Sequence, residues 1–255
     1  MANSAIITGA ASGIGLAAAR DLLDTGWTVY GVDVSDAALA PATRALASPQ
    51  FQPRPCDLRD VAAVTEVMRG IRKDSPTINA VIASAGVVGT GPLAAMSVDE
   101  FDVIFEVNVR GLWLTCKEAY PMLCAAAVGG ELARTILLSS VSAIRPKIES
   151  GAYAASKAAV SQLTQVLAVE WANDGILVNA LAPGTVDTPM IQAATADPSK
   201  QGNWRPSGNS PLGRIAQPED IVRVMRFLLS EDAGYVTGAI SPVDGGTRAA
   251  FVPKA

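Results

Sequence analysis

Tyr153 and Lys157 stand four residues apart in GAYAASKAAVSQLTQVLAVEWA, a run of small and apolar residues that reads as one long helix. Residues at i and i+4 share a helix face, so a phenol and an ammonium can be brought to a common site. A fixed positive charge favours phenolate over phenol and draws the tyrosine down from about 10 toward the working range of a general acid/base. The chain has 255 residues and no histidine. That excludes Ser-His-Asp and Cys-His nucleophile systems and histidine-ligated zinc or haem, and leaves proton transfer to carboxylate, Tyr, Lys or Cys. Thirteen residues before Tyr153, Ser140 lies toward the end of the run TILLSSVS. A hydroxyl at the C-terminal end of a parallel strand faces the ligand crevice and can hold a substrate oxygen while the phenol exchanges a proton with it. Ser139 and Ser142 are alternatives. Strand alternation turns Ser139 to the opposite face, which favours Ser140.

A second group of residues offers a binding site. Thr8 to Gly15 (TGAASGIG) follows an apolar run and opens the helical pattern LAAARDLLDTG. Gly9, Gly13 and Gly15 permit a tight turn and close backbone approach, and the unpaired N–H groups of a new helix at Ser12, Gly13 and Ile14 suit a pyrophosphate. Asp33 closes the next apolar run, TVYGVD. A carboxylate there accepts hydrogen bonds from the hydroxyls of an adenosine ribose and repels a 2′-phosphate. No Lys or Arg lies among Ala10 to Ser12 and Val34 follows the acid, so NAD is expected over NADP. Asp33 as a simple cap for a helix starting near Asp36 is the competing reading.

These residues need a scaffold, and the rest of the chain describes one. Apolar runs at Ala5 to Thr8, Trp27 to Val32, Phe51 to Cys56, Ile78 to Ala83, Thr135 to Ser139, Ile176 to Leu181 and Ala239 to Val243 alternate with helical patterns such as Val61 to Ile71 and Ile221 to Leu229. The alternation predicts an α/β protein, a doubly wound parallel sheet of about seven strands with helices on both faces. Gly26, Gly129-Gly130 and Gly175 punctuate the elements. Pro53 and Pro55 each lack a ladder donor and suggest that the third strand is short or lies at an edge. No linker, repeat or second composition regime is visible, so residues 1–255 read as a single domain. The segment 188–213 is rich in Pro, Gly, Ser and Asn and reads as a long binding loop or lid.

The net charge of −4, without a basic block, gives no reason to expect nucleic acid or an anionic membrane as partner. Cys56, Cys116 and Cys124 match neither a disulfide framework nor a metal site, and no metal is expected. The opening MANSAIITGA lacks the features of a secretory signal, and no apolar stretch is long enough to span a bilayer. The expectation is a soluble cytoplasmic protein.

The ordered set of motifs resembles the short-chain dehydrogenase/reductase family along nearly the whole chain. The matching pieces are the TGxxxGIG turn, Asp57-Leu58, Ala85-Gly86, Asn108, Ser140, the YxxxK pair Tyr153 and Lys157, Pro183-Gly184 leading to Thr188, and DGG at Asp244 to Gly246. The resemblance implies a Rossmann-type fold and a division of labour: Ser140 orients the substrate oxygen, Tyr153 is the acid/base, and Lys157 lowers its pKa and holds the nicotinamide ribose. It also implies that Asn108 bends its helix and keeps a water in a relay to Lys157. Asp57 and Leu58 would sit at the adenine, Ala85 and Gly86 beside the cofactor, and Pro183, Gly184, Val186 and Thr188 at the nicotinamide carboxamide. From its neighbours alone, Asn108 would be an exposed helix-interior residue. Ser84-Ala85-Gly86 departs from the family's Asn-Ala-Gly, which bears on bracing of the central sheet.

Hydride transfer between NAD and a secondary alcohol or ketone is the implied reaction. The pocket would draw on Val87, Val88, Ile144, Ile148, Met190, Ile191 and Trp204, beside Arg145, Lys147 and Arg205. The apolar group suits an alicyclic or steroid-like ligand; the cations suit an anionic hydroxy acid or acyl thioester. Surface cations are more often solvated than clamped on substrate, which favours the neutral ligand. A non-catalytic dinucleotide-binding protein is the contrasting possibility, disfavoured by the complete Ser/Tyr/Lys set. Ala-rich helices at 98–127 and 151–172 predict packing across a two-fold axis, and the resemblance implies a homotetramer, or else a homodimer.

Overall fold

The computed structural model describes residues 3–196, 206 and 208–249. In chain order the elements are β1 (Ser4–Thr8), α1 (Gly13–Asp24), β2 (Thr28–Asp33), α2 (Asp36–Leu46), β3 (Phe51–Pro55), α3 (Val61–Asp74) and β4 (Ala80–Ala83). Then follow α4 (Val98–Phe105), α5 (Leu112–Ala126), β5 (Ala133–Leu138), α6 (Gly151–Trp171), β6 (Ile176–Pro183), α7 (Pro189–Ala196), α8 (Pro218–Leu229) and β7 (Ile240–Val243). The seven strands form one parallel sheet in the order β3-β2-β1-β4-β5-β6-β7. This is the Rossmann-type doubly wound fold expected from the alternation, as a single domain.

Period-two alternation divides each strand between two cores. Ile6, Val81, Leu137 and Val178 pack with α3, α5 and α6 on one face. Ile7, Ile82, Ile136 and Leu181 pack with α1, α2 and α8 on the other. Burial on both faces is why these runs are almost wholly apolar. The prolines sit where expected, since β3 pairs only with β2 and its outer edge has no ladder to satisfy. The order in which strands are added reverses between the parallel neighbours β1 and β4, and a doubly wound sheet opens its ligand crevice beyond the carboxyl ends of such a strand pair.

Two local features depart from the sequence pattern. Pro189–Ala196 is helical, so the expected loop over 188–213 begins as α7; Pro189 supplies a preset φ at the first helical position. Asn108 is fully buried, inside a π-helical turn (Glu106–Gly111) that joins α4 to α5. Among the described residues, no helix is long and apolar enough to cross a membrane. No group of side chains there could hold a metal ion.

Candidate active site

A cleft of about 490 Å3 lies across the carboxyl ends of β1, β4, β5 and β6. Of the residues expected to be catalytic or to bind the cofactor, all but two line it; Gly15 and Asn108 stand behind the wall. At one end is the glycine turn. Gly9 has φ +70°, and a Cβ there would come within 2.9 Å of the Ala85 backbone. A Cβ on Gly15 would lie 2.1 Å from the Gly9 carbonyl oxygen, so Gly15 allows the helix to pack on the turn and does not face the cleft. Ser12 precedes α1 in extended conformation with no side-chain cap, and the first turn of α1 carries no acid. An anion at that helix end would meet open N–H donors.

Asp33 reaches back to the turn. Its Oδ2 accepts from the Ala11 N–H at 2.9 Å and its Oδ1 from the Val34 N–H at 2.8 Å. The cap of α2 is Ser35, whose side chain accepts from the Ala38 N–H. Asp33 is therefore not spent on that helix, and its carboxylate borders the cleft. Asp57 is gripped by Arg59, whose Nε and Nη2 donate to it at 2.6–3.0 Å, and this pairing holds the carboxyl below its usual range. Arg59 lines the cleft too and was not anticipated. Val103 and Val107, also missed, line it from α4 and the π-helical turn; their four-residue spacing was the available signal.

The other end is built by β5, α6 and the π turn. Ser140 follows β5, and its Oγ accepts from the Ser142 N–H at 3.1 Å. Ser139 points the other way: its hydroxyl donates to the Lys157 carbonyl at 3.0 Å and lies 2.8 Å from Ser161 Oγ. Alternation in β5 had separated the two serines in this sense. Tyr153 and Lys157 share the cleft face of α6. Lys157 is 4% exposed; its Nζ donates to the Leu138 carbonyl at 2.7 Å and lies 5.8 Å from the centre of the Tyr153 ring.

The electrostatics differ from expectation. Burial pushes the Tyr153 phenol above 10, opposed by its hydrogen bond with Ser140. Burial also brings the Lys157 ammonium down to about 8. In the protein alone, desolvation is the larger influence on both groups.

Asn108 joins the loop after β4 to α6. Its Oδ1 accepts from the Val87 N–H at 2.8 Å, and its Nδ2 donates to the Val87 carbonyl at 2.9 Å and to Ser156 Oγ at 3.0 Å. A Cβ on Gly86 would meet Asn108 Oδ1 at 3.2 Å, a tight contact, and Lys157 Nζ at 3.5 Å, so Gly86 stands against both groups. Where the family resemblance leads one to expect an asparagine, Ser84 leaves bracing of this junction to Thr8, whose Oγ1 accepts from the Ala85 N–H at 3.1 Å. Beyond β6, Val186 is buried and Thr188 overhangs the glycine turn, with Cγ2 3.1 Å from where a Gly13 Cβ would stand.

The residues of the expected substrate pocket separate. Val87, Met190 and Ile191 line the cleft, and Val88 and Lys147 line a chamber beside it. Ile144 and Ile148 are exposed and border neither space. Arg145 donates through its guanidinium to the Thr247 carbonyl. Trp204 and Arg205 lie outside the described residues.

A glycine cradle, open helix N–H groups, a bordering carboxylate and a buried amine are the donor and acceptor set that a nicotinamide dinucleotide requires. Residues 9–248 match the family described as enoyl-(acyl carrier protein) reductase. The chain is 35% identical over 248 residues to cis-4-hydroxycyclohexanecarboxylate dehydrogenase of Sinomonas cyclohexanicum, covering 96% of each protein. Its fold is similar to 3-ketoacyl-(acyl-carrier-protein) reductase from Brucella melitensis complexed with NADH, with TM-score 0.87, 27% identity, and coverage of 96% and 98%. It is equally similar to RhlG of Pseudomonas aeruginosa in an NADP active-site complex, with TM-score 0.87, 28% identity and 96% of each chain covered. The chain belongs to the short-chain dehydrogenase/reductase family, oxidoreductases that act on alcohol and ketone substrates with a nicotinamide dinucleotide.

Proposed function

We propose that this protein is an NAD-dependent dehydrogenase or ketone reductase for a secondary alcohol on an alicyclic framework. The observation that carries the reading is the convergence of Ser140, Tyr153 and Lys157 at one end of a cleft whose other end is bordered by Asp33. The nicotinamide, when bound, accepts or returns the hydride. In the oxidising direction the substrate hydroxyl gives its proton to the ionised Tyr153 while the carbinol carbon loses hydrogen with its bonding pair; ketone and reduced cofactor result. Ser140 Oγ holds the reacting oxygen, and Lys157, fixed by Leu138 and lying over the phenol ring, when protonated stabilises the phenolate before it takes the proton.

Gly9, Ser12, Gly13 and Ile14 would hold the pyrophosphate and Asp33 the adenosine ribose. Asp57 and Leu58 would flank the adenine, with Ala85 and Gly86 lining the middle of the cofactor. Pro183, Gly184, Val186 and Thr188 would border the nicotinamide. Asn108, locked to Val87 and Ser156, positions the junction between the loop after β4 and α6 rather than touching the reacting atoms.

The identity of the curated relative makes ring alcohols the first substrates to try. Initial rates of reduced-cofactor formation on cyclohexanol, 4-methylcyclohexanol and 4-hydroxycyclohexanecarboxylate, each with NAD and with NADP, test the reading. Turnover with NAD exceeding that with NADP supports it, and inactivity on every ring alcohol overturns it.

The same reading includes self-association. Phe101, Trp113, Val166 and Val169 are exposed on α4, α5 and α6 in the single chain, an apolar surface suited to a second copy in a homodimer or homotetramer. Light scattering that finds only monomer at micromolar concentration would overturn this part.

A further inference from the structure

Beyond Asp33 the cleft is walled by the loop that follows β3. The Cys56 N–H donates to the Asp33 carbonyl at 2.7 Å, so Asp57 comes directly after a residue tied to the acid expected at the adenosine ribose. Asp57, Leu58 and Arg59 all line the cleft, and Leu58 is buried. The two acids of this loop are used differently. Asp60 is spent on α3, where its Oδ1 accepts from the Ala63 N–H at 3.0 Å. Asp57 caps no helix, and its carboxylate is held by Arg59 instead.

Arg59 closes on that carboxylate with three N–H groups. Its backbone N–H donates to Oδ1 at 2.9 Å, its Nε to both oxygens at 3.0 Å, and its Nη2 to Oδ2 at 2.6 Å. An ionised carboxylate offers about four acceptor positions, so three donors leave roughly one for a ligand. The same contacts draw the Asp57 carboxyl below its usual range, which keeps it an acceptor at neutral pH. An ion pair this exposed adds little to folding. What it fixes is orientation, because a guanidinium paired side-on sets the plane of the carboxylate.

The grip has its own support. The Arg59 carbonyl accepts from Arg110 Nη2 at 2.8 Å, and Arg110 also pairs with Glu106 at 3.0 Å. Both belong to the π-helical turn that holds Asn108. In that turn Gly111 lies against Leu58, where a Cβ would come 2.8 Å from Leu58 Cβ and 2.9 Å from its carbonyl oxygen. The loop is thereby seated on the π turn by a hydrogen bond and by a close approach that any side chain would obstruct.

We propose that Arg59 sets purine selectivity: it holds Asp57 so that the remaining acceptor receives the exocyclic amino group of a 6-aminopurine and rejects a 6-oxopurine, which turns an acceptor to the same place. Arg59 is a positioning residue in this scheme, acting through Asp57. The inference rests on the cofactor placement above, with Asp33 at the ribose, and deepens it by assigning how the base is read.

The probes are NADH and reduced nicotinamide hypoxanthine dinucleotide, which differ only at the purine. Each is titrated by its nicotinamide fluorescence into wild type, Arg59→Met, Arg59→Lys and Asp33→Ala. A charge-assisted hydrogen bond exchanged for two opposed acceptors is worth about tenfold or more. Wild type should therefore bind NADH at least about tenfold more tightly than the hypoxanthine analogue. Arg59→Met should bring that preference within about threefold, mainly by weakening NADH, and Arg59→Lys should recover part of it. Asp33→Ala should weaken both dinucleotides alike and keep the preference, because the ribose is common to them. Wild type that binds the two equally, or Arg59→Met that retains the full preference while Asp33→Ala weakens both, would overturn the inference and leave the cofactor placement standing. Asp33→Ala without effect on either dinucleotide would overturn the placement itself, and the reading of Arg59 with it.

Discussion

Lys157 on α6 is fastened to the end of β5: its Nζ donates to the Leu138 carbonyl at 2.7 Å, two residues before Ser140. The strand that delivers the serine and the helix that carries the tyrosine are thus joined through the amine itself. That bond fixes the separation of Ser140 and Tyr153 and explains why the amine lies over the phenol ring rather than at its hydroxyl. Burial at this junction shifts both groups.

Burial lowers the Lys157 ammonium from 10.5 to about 8. Between those values the unfolded chain binds a proton that the folded chain has released, so the lysine's contribution to stability rises with pH across that window and is least favourable below it. Relative to Lys157→Met, the cofactor-free wild type should gain up to about 3 kcal/mol between roughly pH 7 and pH 10.5. Denaturant unfolding of both proteins at several pH values measures the difference; a gap constant with pH would contradict the buried-amine account.

The two adjacent serines should behave oppositely. Ser140→Ala removes the hydrogen bond that lowers the Tyr153 phenol, so kcat/KM should fall about 100-fold and its alkaline rise should move to higher pH. Ser139→Ala breaks contacts to Lys157 and Ser161 on the far side of the strand. It should keep most turnover and lose about 1–2 kcal/mol of stability. Kinetics and thermal unfolding on the two variants would expose a reversal of these roles.

Asp33 both borders the cleft and ties down the Ala11 N–H. Asp33→Ala should weaken NAD binding about tenfold or more through loss of both contacts. Asp33→Asn keeps an acceptor for Ala11 but removes the negative charge, so its NADP affinity should improve relative to NAD. Fluorescence titration with both reduced cofactors decides this. An Asn variant with unchanged NAD/NADP preference would show that the charge does not select the cofactor.

Much of this was legible in the chain because it is local. Strand alternation separated Ser139 from Ser140, the four-residue spacing placed Tyr153 and Lys157 on one face, and Pro53 and Pro55 marked the edge strand. What escaped depends on packing between distant segments. Asn108 looked exposed because nothing near it in sequence announces the π-helical turn or the contacts with Val87 and Ser156. The α7 helix was hidden by the Pro- and Gly-rich composition that follows it, although Pro189 at its first position was a usable signal. Spacing alone suggested the amine's attraction for a phenolate but not the burial that raises the phenol and lowers the amine. Arg59 was missed since its grip on Asp57 turns on loop geometry.

The most direct test of the account is kcat/KM for ring-alcohol oxidation with NAD from about pH 7 to about pH 10, for wild type and Tyr153→Phe, with NADH affinity measured on both. Because burial holds the phenol above its ordinary value in the protein alone, wild-type activity should climb with pH. Tyr153→Phe should bind NADH normally and lose about 1,000-fold or more with no such climb. A phenylalanine variant that turns over within about tenfold of wild type, with the same pH profile, would contradict the assignment of Tyr153 as the group that moves the proton.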